Sequence, residues 1–287
     1  MRQVPLPVPP LPTQQAIVAY LDEKSAAIDG RGVVLEKKLS AYKRLKTSVI
    51  NRAVTRGLDP KAKLKDSGVD WIGKVPAGWT VDKIGNCFDV IGSGTTPRTG
   101  SQDLYEGDIP WVQSGDLHGD WVFETSKRVN RTTLQSYSLP IYKAPFICVA
   151  MYGASIGNVS KIGVDACTNQ ACCALCKPRP EIDLGFMFYL LQRSQQRLLI
   201  FAEGGTQPNI NRGTITGLRV GLPPLPEQIA IADYLDAECA KIDKMADLVT
   251  REIELYKKLK RSLINEVVTG KRPVFADKQL RRSKEVA

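Results

Sequence analysis

Apolar residues recur at every seventh position near both ends of the chain. Leu21, Ile28, Leu35, Tyr42 and Val49 form one row, and Leu235, Ile242, Val249, Tyr256 and Leu263 form another. Partial second rows accompany them, Leu39 and Ala53 with the first, and Ala246, Ile253 and Val267 with the second. A sustained seven-residue period makes a narrow seam along a long helix, suited to packing lengthwise on another long helix. Prolines ahead of each row fix an extended entry, and Pro12 and Pro226 suit a first helical turn. About 42 residues at 1.5 Å each give a rod on the order of 60 Å. Gly30 and Gly32 weaken the first rod by about 1 kcal/mol each and mark a candidate kink. The two seams can satisfy each other as an antiparallel pair. Alternatively, each can pack on its own domain or on a partner chain.

The rods are copies of one another. PPLPTQQAIVAYLD near the start becomes PPLPEQIAIADYLD near the end. Residues 10–55 align with 224–269 without a gap, and roughly 21 of the 46 positions are identical, which indicates duplication.

Between the copies the period changes. Residues 66–222 carry strand-like pieces bounded by Gly, Pro, Asn and Asp, at 79–91, 109–113, 145–152, 158–162 and 171–176. A helix is predicted over 184–202, with Asp183 as its cap and Gly204 as its stop, followed by a last strand over 218–222. These elements predict an α+β domain. Its loops are rich in glycines, hydroxyls and amides: 92–100, 112–120, 151–157, 168–170 and 204–211.

Charge refines this picture. The 287 residues carry a net +10. Residues 1–65 hold roughly +8, residues 223–287 roughly +2, and the middle is near zero. A basic chain suggests a polyanionic partner, yet the excess lies in the rods. The runs YKRLK (42–46) and YKKLKR (256–261) can lie against phosphates or can be solvated helix faces. Seven cysteines without a disulfide-like spacing, and no apolar leader or span, suggest reduced thiols and a cytoplasmic chain with no membrane partner.

Several signals resemble catalytic or ligand sites and are set aside. GVDWIGK (68–74) imitates a phosphate loop, but Val75 stands where a Ser or Thr must bind magnesium. Cys167, Cys172, Cys173 and Cys176 crowd one predicted strand region instead of forming the two separated pairs of a zinc site. His118, the single histidine, lies in a polar loop. No nucleophile–base pair, amine-methylation motif or nuclease cluster is evident, so the chain is not expected to be an enzyme.

The runs WIGKVPAGWTVDKIGNCF, GTTP, GDIPWVQSGDL, GASIGNVSKIG, TNQACCAL, GGTQPNIN and LPPLPEQIAIADYLD resemble, in order, the DNA-specificity subunit of type I restriction-modification systems. The resemblance covers residues 9–270 and implies one target-recognition domain plus two long helices forming an antiparallel coiled coil. It implies segments 1–12 (proline-rich lead-in), 13–57 (first helical region), 66–222 (recognition domain), 223–270 (second helical region) and 271–287 (basic tail). Such subunits usually carry two recognition domains, each reading half of a split site in double-stranded DNA, with the helices as spacer. This chain has one, as in a half-length form, so two copies are expected to associate as a homodimer. The resemblance also implies methyltransferase and restriction subunits as partners. S-adenosylmethionine, ATP and magnesium are expected only on those partners. An alternative reading is a truncated adaptor that docks methyltransferase without reading DNA.

Asn and Gln can pair bidentately with adenine and Arg with guanine, while hydroxyls and amides hold phosphates. The expected DNA-binding residues are Ser93, Thr95, Thr96, Arg98, Gln113, Ser114, Tyr152, Asn169, Gln170, Gln207, Asn209 and Arg212. The expected partner-binding residues, in the proline phrases and helix starts, are Leu11, Gln14, Tyr20, Leu225, Gln228 and Tyr234. Weak DNA binding by the isolated chain is expected, because its recognition domain is nearly neutral.

Overall fold

The computed structural model describes residues 8–98, 102–202 and 208–274. Helix α1 (Leu11–Arg56) is followed by strands β1 (Leu64–Asp66), β2 (Lys74–Pro76), β3 (Thr80–Lys83), β4 (Phe88–Gly92), β5 (Ile109–Val112), β6 (Trp121–Val122) and β7 (Lys127–Val129). Helix α2 (Arg131–Ser136) precedes β8 (Phe146–Ala150), β9 (Val159–Ile162), β10 (Cys167–Thr168) and β11 (Cys172–Pro178). Then come α3 (Leu184–Ile200), α4 (Arg212–Thr216), β12 (Arg219–Leu222) and α5 (Leu225–Val268).

Both long helices start and stop by the same local chemistry. The carbonyl of Pro10 accepts from the amides of Thr13 and Gln14, and that of Pro224 from Glu227 and Gln228. The proline at the second helical position has no N–H to leave unpaired there. Gly57 (φ +71°) bonds back to Ala53 and Gly270 (φ +72°) to Val267. Both occupy the left-handed conformation that commonly closes a helix. Gly30 and Gly32 do not interrupt α1, which is helical throughout its length.

The chain divides into two compact units: Met1–Lys46 with Cys239–Ala287, and Thr47–Glu238. In the first, Leu35, Val249 and Ile253 are buried together, with Leu39, Tyr42 and Tyr256 packed against them. All six belong to the seven-residue rows. Arg31 meets Glu252 at 3.2 Å, Lys46 meets Asp243 at 2.6 Å, and Lys260 meets Asp29 at 2.6 Å. Rising numbers on α1 thus meet falling numbers on α5. The basic runs are partly accounted for: Lys46 and Lys260 reach carboxylates on the other helix, and both tyrosines lie in the seam. Such exposed, screened pairs fix register more than they stabilise.

The second unit is built around a five-stranded sheet in the order β4-β11-β8-β9-β6. β8 and β9 are buried along their whole length; β8 (FICVA) reads as a continuous apolar run, whereas β9 (VSKI) also buries Ser160 and Lys161. On one face Phe146, Cys148, Ala150, Ile162, Cys172, Ala174 and Cys176 pack with Val112, Leu117, Val122 and Tyr142. α3 lies against β8 and β9. Asp183 caps α3 by accepting from the amide of Phe186 at 2.7 Å; the expected stop, Gly204, lies outside the described residues. A three-stranded sheet, β10-β5-β7, and the pairs β1-β2 and β12-β3 complete the unit.

One predicted strand is two. Over 79–91 the chain forms β3, a 3-10 turn at Ile84–Asn86, and β4. β3 pairs with β12 and β4 with β11, so the halves serve different sheets. The amide of Ile84 bonds the carbonyl of Leu218, which draws the turn toward α4. The DWIGK stretch is structural. Ser67–Gly73 closes the β1–β2 hairpin, and Trp71 stacks 5.1 Å from the Arg193 guanidinium of α3. Trp79 is buried edge-on against Phe186.

Candidate nucleic-acid interface

The loop over residues 93–98 lies on the segment that follows β10. The Gly94 amide donates to the Thr168 hydroxyl at 2.9 Å and to the Asn169 carbonyl at 3.3 Å. A Cβ at Gly94 would lie 1.6 Å from the Thr168 carbonyl oxygen, so only glycine allows this approach. The Thr96 hydroxyl donates to the side-chain carbonyl of Gln170. Ser93, Thr95, Thr96, Arg98, Asn169 and Gln170, about 75 positions apart in sequence, therefore share one place.

Further backbone bonds extend the same rim. The Asn169 amide bonds Val112, next to Gln113 and Ser114. The Met151 amide bonds Ala171, and the Ile210 amide bonds Met151. Tyr152 bridges to Asn209, and the Gly153 amide bonds Pro208. Asn211 accepts from the Thr214 amide at 2.9 Å, capping α4 and setting Arg212 at its exposed first position. Arg98, Tyr152, Gln170, Asn209 and Arg212 are exposed. Gln207 lies outside the described residues.

Not every predicted reader is free to read. Gln113 is engaged in a capping box with Asp116, and its Nε2 donates to the Ser126 hydroxyl at 3.0 Å. Buried Asp116 accepts from the amides of Gln113 and Ser126 through its two oxygens. This amide thus organises its loop, a role that composition did not signal. Asn169 accepts from the Ala171 amide at 3.1 Å, so its carbonyl holds the turn. Behind the rim, burial pushes the Tyr142 phenol up to about 12, keeping it protonated beside Gly92.

The cysteines are core residues. All seven are buried, and none forms a disulfide. Burial pushes the thiols of Cys173 and Cys176 up to about 12 and Cys167 up to about 11, the opposite of what a metal thiolate needs. Among the described residues no cluster of His, Cys, Asp or Glu is arranged to hold a metal, and no helix is long and apolar enough to cross a membrane. His118 is exposed.

The helical unit offers a second surface. Met245, Leu248, Leu255 and Leu259 recur on α5 at spacings of three and four with Glu252 between them, and Val34 and Leu45 recur on α1 in line with Arg31. These six apolar side chains are 48–65% exposed. The Arg31–Glu252 pair joins the two rows, so both lie on the same side of the helices. Exposed Lys37, Arg44, Lys244, Arg251 and Lys258 follow one step further round each helix. The signal was present in the sequence as a second heptad row, hidden behind the stronger first one.

The expected docking residues fare unequally. Leu11 and Tyr234 are exposed, while Tyr20 and Leu225 are half-buried. Gln14 is half-buried, and its Nε2 donates to Pro9 at 2.8 Å. Gln228 differs from the others in being buried. It is 1% exposed, its Nε2 donates to Glu181 and Pro223, and its Oε1 accepts from the Asp183 amide. Its amide is fully used within its own unit.

Residues 76–280 match the family described as the type I restriction modification DNA specificity domain. The chain is 26% identical over 280 residues to the type I restriction enzyme MjaVIII specificity subunit of Methanocaldococcus jannaschii, covering 93% of this chain and 62% of that protein. It is 23% identical over 266 residues to the EcoR124I/EcoR124II specificity subunit of Escherichia coli, covering 90% and 60%. It thus spans about three-fifths of the length of the curated relatives it matches. In fold it is similar to a chain from a structural study of the assembly and conformational transition of the type I R-M system (TM-score 0.70, 19% identity, 92% and 60% covered). It is also similar to the HsdS subunit of Thermoanaerobacter tengcongensis (TM-score 0.53, 19% identity, 92% and 60% covered).

Proposed function

Because this chain belongs to the type I restriction modification DNA specificity family, we propose that it reads one half of a split DNA site with its 66–222 domain while partner subunits carry out the chemistry. The observation that carries this reading is the run of bonds through the loops that hold Thr96, Asn169, Gln170, Tyr152 and Asn209, with exposed Arg98 and Arg212 a few residues along from Thr96 and Asn209. Amides and guanidinium groups held on anchored backbone suit base-edge readout, and neighbouring hydroxyls suit phosphates. S-adenosylmethionine, ATP and magnesium act on the methyltransferase and restriction partners, in the cytoplasm.

The two long helices act as an antiparallel coiled-coil spacer. Support comes from the seam of Leu35, Leu39, Tyr42, Val249, Ile253 and Tyr256 and from the reversed order of the three ion pairs. The partners dock on the same helices, at the apolar row of α5 and α1 and at exposed Leu11 and Tyr234. With one recognition domain in the chain, two copies together read both half-sites, which are then identical and inverted. Light scattering on a size-exclusion column should give about twice 31.6 kDa; a monomer that still directs methylation of a two-part site would refute the dimer.

The reading itself is tested by methylome sequencing of cells carrying this chain and its methyltransferase. A two-part motif is expected. Arg98→Ala should reduce methylation of that motif at least about tenfold, the cost of one lost base contact, with an unchanged melting temperature. An unchanged motif and extent would remove the loop from the reading surface.

A further inference from the structure

The 93–98 loop is tied down by three aromatic side chains from three different elements. Trp111 of β5 donates its indole N–H to the Thr95 carbonyl at 3.3 Å. Tyr105, at the end of the 3-10 turn Gln102–Tyr105, donates its hydroxyl to the Pro97 carbonyl at 2.8 Å. The Tyr137 hydroxyl, at the end of α2, accepts from the Arg98 amide at 3.1 Å. The three rings belong to one cluster with Val129, Leu139 and Cys167, and Tyr105 and Trp111 are 5.3 Å apart, centre to centre.

Aromatic residues with a polar tip pack their rings in apolar surroundings and need a partner for the N–H or O–H. Here that partner is, three times over, the backbone of one short loop. Pro97 is buried and has a fixed φ. Gly94 is pinned against Thr168, and the Thr96 hydroxyl is held by Gln170. From Gly94 to Arg98 every residue thus has a backbone or side-chain tether, and the Arg98 side chain is left exposed. A guanidinium leaving a fixed backbone has fewer directions in which to find an acceptor, so it separates a right base from a wrong one more sharply.

We propose that Tyr105, Trp111 and Tyr137 are positioning residues for base selection, setting the direction in which Thr96 and Arg98 are presented without themselves touching DNA. This rests on the reading of the loop as part of the DNA-reading rim. A purely structural role would predict lost stability with unchanged base preference; positioning predicts the reverse.

The test uses Tyr105→Phe and Tyr137→Phe, which keep each ring and remove only the hydroxyl, in the full chain with its methyltransferase. Each is expected to leave the melting temperature unchanged while methylation of sites one base away from the motif rises about tenfold relative to motif sites, the scale of a weakened single-base discrimination. The relaxed position should match the one altered by Arg98→Ala. If Arg98→Ala changes the motif and both phenylalanine variants leave base preference intact, positioning is overturned and the reading loop stands. If Arg98→Ala itself leaves the motif unchanged, the underlying reading of the loop fails instead. If either variant melts early with preference intact, that tyrosine is structural and the inference fails there.

Discussion

Gln228→Ala is expected to destabilise the protein by about 3 kcal/mol, and Gln14→Ala by less than about 1 kcal/mol. The two residues hold the same position in the two copies of the repeat, and each donates to the proline carbonyl five residues before it, Pro9 or Pro223. Gln228 also donates to the Glu181 carbonyl and accepts from the Asp183 amide, both at 2.9 Å. Alanine would leave three backbone groups without partners, the Pro223 carbonyl in a buried bond and the Glu181 carbonyl and Asp183 amide in part-buried ones, at about 1 kcal/mol each. Asp183 caps α3, so loss of this clamp also loosens the helix that covers β8 and β9. At Gln14, which is half-buried, water can replace the lost bond. Thermal melts of the two single variants provide the measurement. For a unit of this size about 3 kcal/mol corresponds to a fall of roughly 6–12 °C. Equal shifts at the two positions would show that burial around Gln228 does not have the assigned consequence.

Aspartate at both Leu248 and Leu255 is expected to abolish co-purification with the methyltransferase while leaving the melting temperature unchanged. Both side chains are more than half exposed, so charge there costs the isolated fold little. Covering the row with a partner helix would trap two carboxylates in an apolar contact. That costs at least about 3 kcal/mol, or roughly a hundredfold in affinity. These leucines lie seven residues apart, the period of a helix-packing seam. Thr250→Asp, away from the row on the same helix, should leave capture intact. Full capture by the double variant would move the docking surface elsewhere, for instance to Leu11 and Tyr234.

The elements most legible in the sequence were those whose cause is local. The rods follow from seven-residue rows, prolines at the second helical position and glycines past the last turn, all within a few residues of the feature they explain. The Asp183 cap and the apolar runs of β8 and β11 were legible for the same reason. The two- and three-residue strands β1, β2, β6, β7 and β10 are too short to show a period. Helices α2 and α4 carry only a short local signal: Asn130 and Asn211 each precede a threonine three residues on, and both cap their helix.

Whether a given polar residue reads, anchors or lies buried was decided by the tertiary structure. Gln14 and Gln228 share their local sequence and differ because α3 begins beside only one of them. Gln113 and Gln170 look alike in sequence, yet one is held in a capping box and the other sits exposed beside Thr96. The sequence by itself determined the duplicated rods, the polar loops and the family. The folded chain decided which loops converge, because bonds that join them link distant residues, 39 positions apart between Arg98 and Tyr137 and 74 apart between Thr96 and Gln170. Local patterning carries no record of such pairings; they exist only once the sheets have brought those segments together.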